Sequence, residues 1–276
     1  MRSYTDALTG ALRRELIMKK LSVVMLALLF LFTSCETLDN LSDSISDLFS
    51  GDKKTEESSD SKGTKISTPK YKRENIDTTI WDLSVLDTAR DVDYMDDIEK
   101  DVVLEMNMAR TNPKKYAELY IEPRIKKFNG KIYGGNLQTN EGVAVVNECI
   151  KFMNNQKSLS VLVPSKGLTL AAKDHANTQS LTDQTGHTGT DGSDPFKRMK
   201  KYGSYTTAGE NISYGSKTAR EIVVTLLIDD GVKSRGHRKN IMNKDFKTTG
   251  VGFANKHKLY GCECVLDYAG EYTEKE

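Results

Sequence analysis

From about Val92 onward, apolar positions recur at helical intervals. Met95, Ile98, Val102, Val103, Met106 and Ala109 share one face of a 3.6-residue period. They predict a helix that ends near Asn112, because the residue before a proline is pushed out of helical geometry. Pro113 can open a second, short helix capped by Asn112, with Tyr116, Leu119 and Tyr120 as packing residues. Val145, Val146, Cys149, Ile150 and Met153 outline a third helix, and Leu168, Ala171, Ala172, His175 and Ala176 a fourth. A fifth begins at the capping-box pattern Thr218-Ala-Arg-Glu221 and carries Ile222, Val223, Leu226 and Leu227. Asp229-Asp230-Gly231 should break it, with the glycine as left-handed cap. Strands are shorter: Glu210 to Tyr214, then Gly250 to Ala254 and Leu259 to Tyr268 as a hairpin across a polar Asn-Lys-His-Lys connection. The mixture predicts an α+β class, or a sheet covered by helices on both faces.

Ahead of this body the pattern changes twice. Lys19 and Lys20 precede the uncharged apolar run Leu21 to Phe32, followed by Thr33, Ser34 and Cys35. A charged start, a short apolar stretch and small residues make a secretory signal. The run is short of the roughly 20 residues that span a bilayer. Cys35 after two small residues resembles a bacterial lipobox, with residues 1–35 as signal peptide, Met18 as the expected start, and Cys35 lipidated. The alternative is an ordinary signal peptide with Cys35 uninvolved. Acyl chains on Cys35 would anchor the protein at the cell envelope, on the periplasmic or surface face. Residues 36–91 read as a polar tether, since Gly51 to Lys70 offers almost no large apolar side chain to offset ordering. Within it, 71–91 is undecided, because Trp81, Leu83 and Leu86 could pack as an N-terminal arm. The folded domain is then 92–276.

Composition adds little beyond exclusion. Hydrophobic residues make up 37%, and 40 basic against 39 acidic residues give a net charge of +1, which offers no argument for a nucleic-acid partner. No Walker loop or dinucleotide fingerprint is present. The chain has four histidines, His175, His187, His237 and His257. Two stand in unusual surroundings: His187 in Gly-His-Thr-Gly-Thr-Asp-Gly-Ser and His237 in Ser-Arg-Gly-His-Arg-Lys-Asn-Ile. Between them lie Gly209-Glu210-Asn211-Ile212 and the Asp229-Asp230 pair. Two imidazoles with two carboxylates suit a divalent cation such as zinc, or could activate a water by general base catalysis. They come from separate segments, so only a fold can unite them.

Six short stretches in order carry a resemblance. Gly186 to Arg198, Gly209 to Ile212, and Gly236-His-Arg-Lys-Asn-Ile241 look like the histidine and Gly-Glu-Asn motifs of the CAP superfamily, named for cysteine-rich secretory, antigen-five and pathogenesis-related proteins. Met106 to Pro113, Leu168 to Asn177, and Gly250-Val-Gly252 with Val265 to Gly270 resemble its first helices and closing hairpin. The resemblance covers about Ile98 to Tyr272 and implies a three-layer α-β-α sandwich. It also implies a cleft lined by His187, Glu210, Asp230 and His237, able to hold zinc, magnesium or calcium. Asp230 carries the fourth role with Asp229 as second choice, in a segment that has Asp where the family usually has Glu.

Asn211 is expected to fix local backbone, and Arg235 and Arg238 to pair with Asp229 or nearby carboxylates as scaffold. His175 reads as a structural histidine near the cleft, and His257 as solvated. Cys149 could pair with Cys262 or Cys264, or all three could be free thiols. Three functions stay open. The first is a surface-presented binding module for a small molecule, lipid or macromolecule. The second is a hydrolase using Glu210, His187 and His237. The third is an envelope or host-contact protein with a purely structural tetrad.

Overall fold

The computed structural model describes residues 71–275. They belong to a unit that begins at Ser67. The signal segment, Cys35 and tether residues 36–70 lie outside the described residues. The undecided segment 71–91 packs on the body, which therefore starts ahead of Val92. It contains helix α1 (Leu83–Leu86). Trp81 is 2% exposed, with its ring against Tyr116 and Tyr120. Its Nε1–H donates to the Tyr120 hydroxyl at 3.1 Å. Helix α2 (Asp97–Thr111) receives the arm. The Asn107 amide donates to the carbonyls of Leu86 and Leu162, and its oxygen accepts from the Leu162 N–H at 2.7 Å. The segment looks polar because its charges are paired, Arg73 and Arg90 with Asp87 and with Asp101 of α2.

Helix α2 starts with Glu99 accepting from the Asp96 N–H at 2.8 Å, a capping-box bond. After α3 (Pro113–Tyr116) and two irregular turns comes a meander of β1 (Phe128–Asn129), β2 (Ile132–Tyr133) and β3 (Leu137–Gln138). Strands of two residues have no readable period, which is why the pattern did not predict them. Then follow α4 (Val143–Asn155), β4 (Val163–Pro164), α5 (Lys166–Ser180), α6 (Pro195–Tyr202), β5 (Gly203–Tyr205) and β6 (Ala208–Tyr214). The chain finishes with α7 (Ala219–Ile228), α8 (Gly236–Ile241), β7 (Thr248–Ala254), β8 (Glu263–Ala269) and β9 (Tyr272–Glu274). β8 begins at Glu263 rather than Leu259, because His257 to Gly261 closes a turn, Gly261 N–H to His257 O at 2.8 Å.

The central sheet has the order β4-β7-β8-β6, with β4 parallel to β7 and the other pairs antiparallel. Side-chain alternation gives it two apolar faces. Ala208, Ile212, Ala254, Val265 and Ala269 meet α5 and α6. Val251, Cys264, Leu266 and Tyr268 join the larger core with α2, α4 and α7. The class is α+β, with helices on both sides of the sheet. Among the described residues Cys149, Cys262 and Cys264 are free and buried, so the suggested Cys149 disulfide is not formed.

The α5 layer lies unusually close to β7. A Cβ on Gly250 would fall 2.1 Å from the Leu168 carbonyl carbon, and one on Gly252 2.5 Å from the Lys173 nitrogen. Backbone meets backbone here, so neither position has room for a side chain. Gly250→Ala is expected to cost about 3 kcal/mol or more of stability, beyond ordinary overpacking, because no side chain can yield. Urea denaturation checks it; an unchanged midpoint would mean that α5 lifts freely.

Candidate functional site

His187 stands in the loop after α5, and three side chains clamp the peptide before it. The Gly186 N–H donates to the Tyr214 hydroxyl at 2.7 Å, and the Gly186 carbonyl accepts from His175 Nε2 and Gln179 Nε2, both at 2.9 Å. Tyr214 in turn donates to Gln179 Oε1 at 2.6 Å. Gly186 has φ +95°, open to glycine and strained for other residues. The imidazole that follows places Nδ1 2.8 Å from Glu210 Oε1. Glu210 is buried on β6, and Arg198 of α6 donates to its other oxygen at 2.7 Å and to the His187 carbonyl at 3.1 Å.

His237 is set by a different device. Helix α7 ends on Asp229 in the left-handed region, φ 62°, so the cap is Asp229 ahead of the expected Gly231. That turn sends the Asp229 carboxylate toward the start of α8. Arg235 occupies the cap position there and has no acceptor to offer. Asp229 supplies one from the preceding turn. It accepts from the His237 N–H at 2.9 Å and meets His237 Nδ1 at 2.6 Å. Arg238 fixes the turn from behind, donating to the carbonyls of Leu227 and Ile228 and to Glu148 of α4. Arg235 donates to the Asp229 and Val232 carbonyls, and forks onto Glu141 and Glu148. Hydrogen bonds from Arg235 first among other causes hold both glutamates down at about 2.

Asp230, the first choice for the fourth cleft residue, points elsewhere. Its oxygens accept from the backbone N–H groups of Asn140 and Glu141, at 2.7 and 2.8 Å, and tie down the loop before α4. The reason is local: with Asp229 left-handed, its neighbour's side chain turns toward that loop. The site therefore consists of two His–carboxylate pairs, His187–Glu210 and His237–Asp229. Asn211 joins them, donating to the His237 carbonyl at 3.0 Å from the residue beside Glu210. Among the described residues no three His, Cys, Asp or Glu side chains converge to hold an ion together. With each Nδ1 committed to a carboxylate, each imidazole keeps Nε2 for a ligand, as metal-binding histidines do when a carboxylate behind the ring orients them. Among the described residues each imidazole thus keeps one Nε2 without a protein partner.

Beside His237 lies a cavity of about 340 Å³ walled by Phe128, Leu137, Val145, Leu226 and Ile228 and bounded by β6. The model of the cysteine-rich secretory protein family matches residues 126–268, more than half of the chain. The chain belongs to the cysteine-rich secretory protein family. It is 38% identical over 95 residues to the uncharacterized protein YkwD of Bacillus subtilis, covering 33% of this chain and about a third, 35%, of that relative. A Bacillus anthracis extracellular protein containing an SCP domain aligns with TM-score 0.33 and 24% identity over 46% of this chain and 38% of its own. An outer surface protein of Borrelia burgdorferi aligns with TM-score 0.36 and 20% identity over 47% of this chain and 90% of its own.

In this family member several site residues carried no sequence signal. Gln179, Glu141 and Glu148 act through ordinary polar side chains, the two glutamates at long sequence separation. His175 is buried as expected, and burial first of all lowers its pKa. His257 is also buried, at 4% exposure, against the expectation of a solvated residue. Its Nε2 donates to the Gln184 carbonyl, and its ring packs on Tyr214 and Tyr260.

Two further carboxylates share the α5 face of the sheet with Glu210. Asp267 lies opposite Glu210 in the β6–β8 register. Charged, its oxygens would have no donor in reach; protonated, it donates to Glu210. Burial, and then the Glu210 charge, hold Asp267 well above the usual carboxylate range. The same causes push Glu263 up from 4.5 to about 8. The folded state thus binds the Glu263 proton more tightly than the unfolded chain does. Its stabilisation is complete below about pH 4.5 and is lost as pH rises through about 8. Glu263→Gln should flatten the fall in melting temperature between pH 5 and pH 8. A variant that tracks the parent across that range would show Glu263 to be charged in the fold.

Proposed function

We propose that this chain is an exported, membrane-anchored binding module whose two oriented imidazoles, His187 and His237, hold a divalent cation at the mouth of an apolar cavity. The observation that carries the reading is the pairing of each Nδ1 with a buried carboxylate, at 2.8 and 2.6 Å. Besides capping α8 and pairing with Arg198, these carboxylates fix the orientation of the two rings. Export is supported by the signal-like segment before Cys35 and by a family described as secretory. Anchoring is read from the lipobox-like Cys35. A bound cation would supply a Lewis-acid contact for an oxygen of the ligand.

Hydrolysis stands second. The Asp229–His237 pair resembles the orienting half of a base-and-nucleophile set. The cysteines do not complete it, since burial raises the thiol pKa of Cys149, Cys262 and Cys264. A structural tetrad stands third.

Calorimetric titration of the metal-free protein with zinc at pH 7.5 tests the reading. One equivalent should bind, and His187→Ala or His237→Ala should abolish it with little change in melting temperature. Asp229→Asn should weaken binding about 10–100-fold by releasing the imidazole. Asp230→Asn should leave it unchanged. Absence of binding to the parent protein overturns the metal reading, and unfolding of both histidine variants would favour the structural one.

A further inference from the structure

Strand β6 is an edge of the central sheet, and its outer side runs beside the cavity. The ladder with β8 is continued by Gly270 N–H to Thr207 O at 2.9 Å and by Gly215 N–H to Cys262 O at 3.0 Å. These fix which residues bond across the pair. In an antiparallel ladder, bonded and non-bonded pairs alternate. Residues 207, 209, 211, 213 and 215 therefore face β8, and Ala208, Glu210, Ile212 and Tyr214 turn their main-chain groups outward. At Glu210 the outward carbonyl is taken by the Asn240 side chain at 3.2 Å. At Ile212 and Tyr214 neither N–H nor C=O meets a protein partner among the described residues.

The Ile212 side chain packs on the other side, among Ala172, Ala176, Ala254 and Val265. What the strand shows the cavity at this point is its main-chain edge. Next to it the Ser213 hydroxyl, in a residue 5% exposed, also lacks a partner.

We infer that this edge and cavity form a binding site for an extended polypeptide segment, which adds a strand to β6 at Ile212 and Tyr214 and places an uncharged apolar side chain in the cavity. The inference rests on the cleft being a ligand site but needs no metal. Three observations select the occupant. An alkyl chain would fill the cavity and leave buried main-chain donors and acceptors unpaired, which is unfavourable. A peptide strand satisfies them in the alternating pattern the edge presents. The charges around the cavity are already matched: Arg124 with Glu221, His237 with Asp229, and Asp230 with the Asn140–Glu141 backbone. A charged side chain would find no free counter-charge there.

The test uses the full chain in detergent with EDTA, so that failure to bind zinc and failure to bind peptide remain separate results. The probe is a pool of hexapeptides blocked at both ends, with leucine at the fourth position and polar residues randomised around it. Binding is read by calorimetry and by amide hydrogen exchange. The leucine pool should bind and slow exchange at Ile212 and Tyr214. Aspartate at the fourth position, or N-methylation of the peptide nitrogen there, should weaken binding about tenfold or more. Thr225→Trp, a change at an exposed α7 residue on the cavity wall, should weaken it similarly without a loss of melting temperature. The inference is overturned if the pool does not bind, or binds without protecting Ile212. It is equally overturned if sodium laurate binds at this wall, as judged by sensitivity to Thr225→Trp, while the peptides do not.

Discussion

A carboxylate removed from water must be paired with donors or keep its proton. The cleft of this protein is organised by that constraint. Glu210 and Asp229 take the first course, and the donors they find are the imidazoles of His187 and His237. Glu263 and Asp267 take the second. The orientation of both histidines follows from where the paired acids sit. Glu210 is fixed by strand register and Arg198, and Asp229 by a left-handed residue that Arg238 braces from the α4 side.

The two halves of the cleft hang from opposite layers. His187 depends on the α5 side, through the Gly186 clamp of His175, Gln179 and Tyr214. His237 depends on α7 and α4, through Asp229, Arg238 and Glu148. Strand β6 lies between and serves both, because successive side chains point to opposite faces. Glu210 turns to the α5 face and meets one histidine; Asn211 turns to the other and holds the carbonyl of the second. The close contact of α5 with Gly250 and Gly252 keeps these layers at a fixed spacing.

Helices α2, α4, α5 and α7 were legible because their apolar faces repeat over several turns, whereas the shorter α6 and α8 were not. His187, Glu210 and His237 were legible because glycines and short polar motifs surround them. The order of preference between Asp230 and Asp229 could not be read from sequence, because adjacent aspartates look alike until the φ of Asp229 decides which one faces the histidine. Trp81 and the arm were hidden by charges that pair only once α2 is in place. His257 sits among lysines in sequence, and only the turn to Gly261 folds it beneath Tyr260. Behind the site, the acceptor Glu148 joins α4 to Arg235 and Arg238, segments far apart in the chain.

The protonated pair of acids also changes what the molecule carries into solution. The formal net charge of +1 counts every carboxylate as ionised. With Glu263 and Asp267 protonated in the fold, the folded domain is less negative near pH 7 than a count of its carboxylates as ionised gives. Those protons are given up when the sheet opens. Unfolding is thereby an acid-releasing reaction, and the heat it absorbs depends on the ionisation enthalpy of whatever buffer receives them.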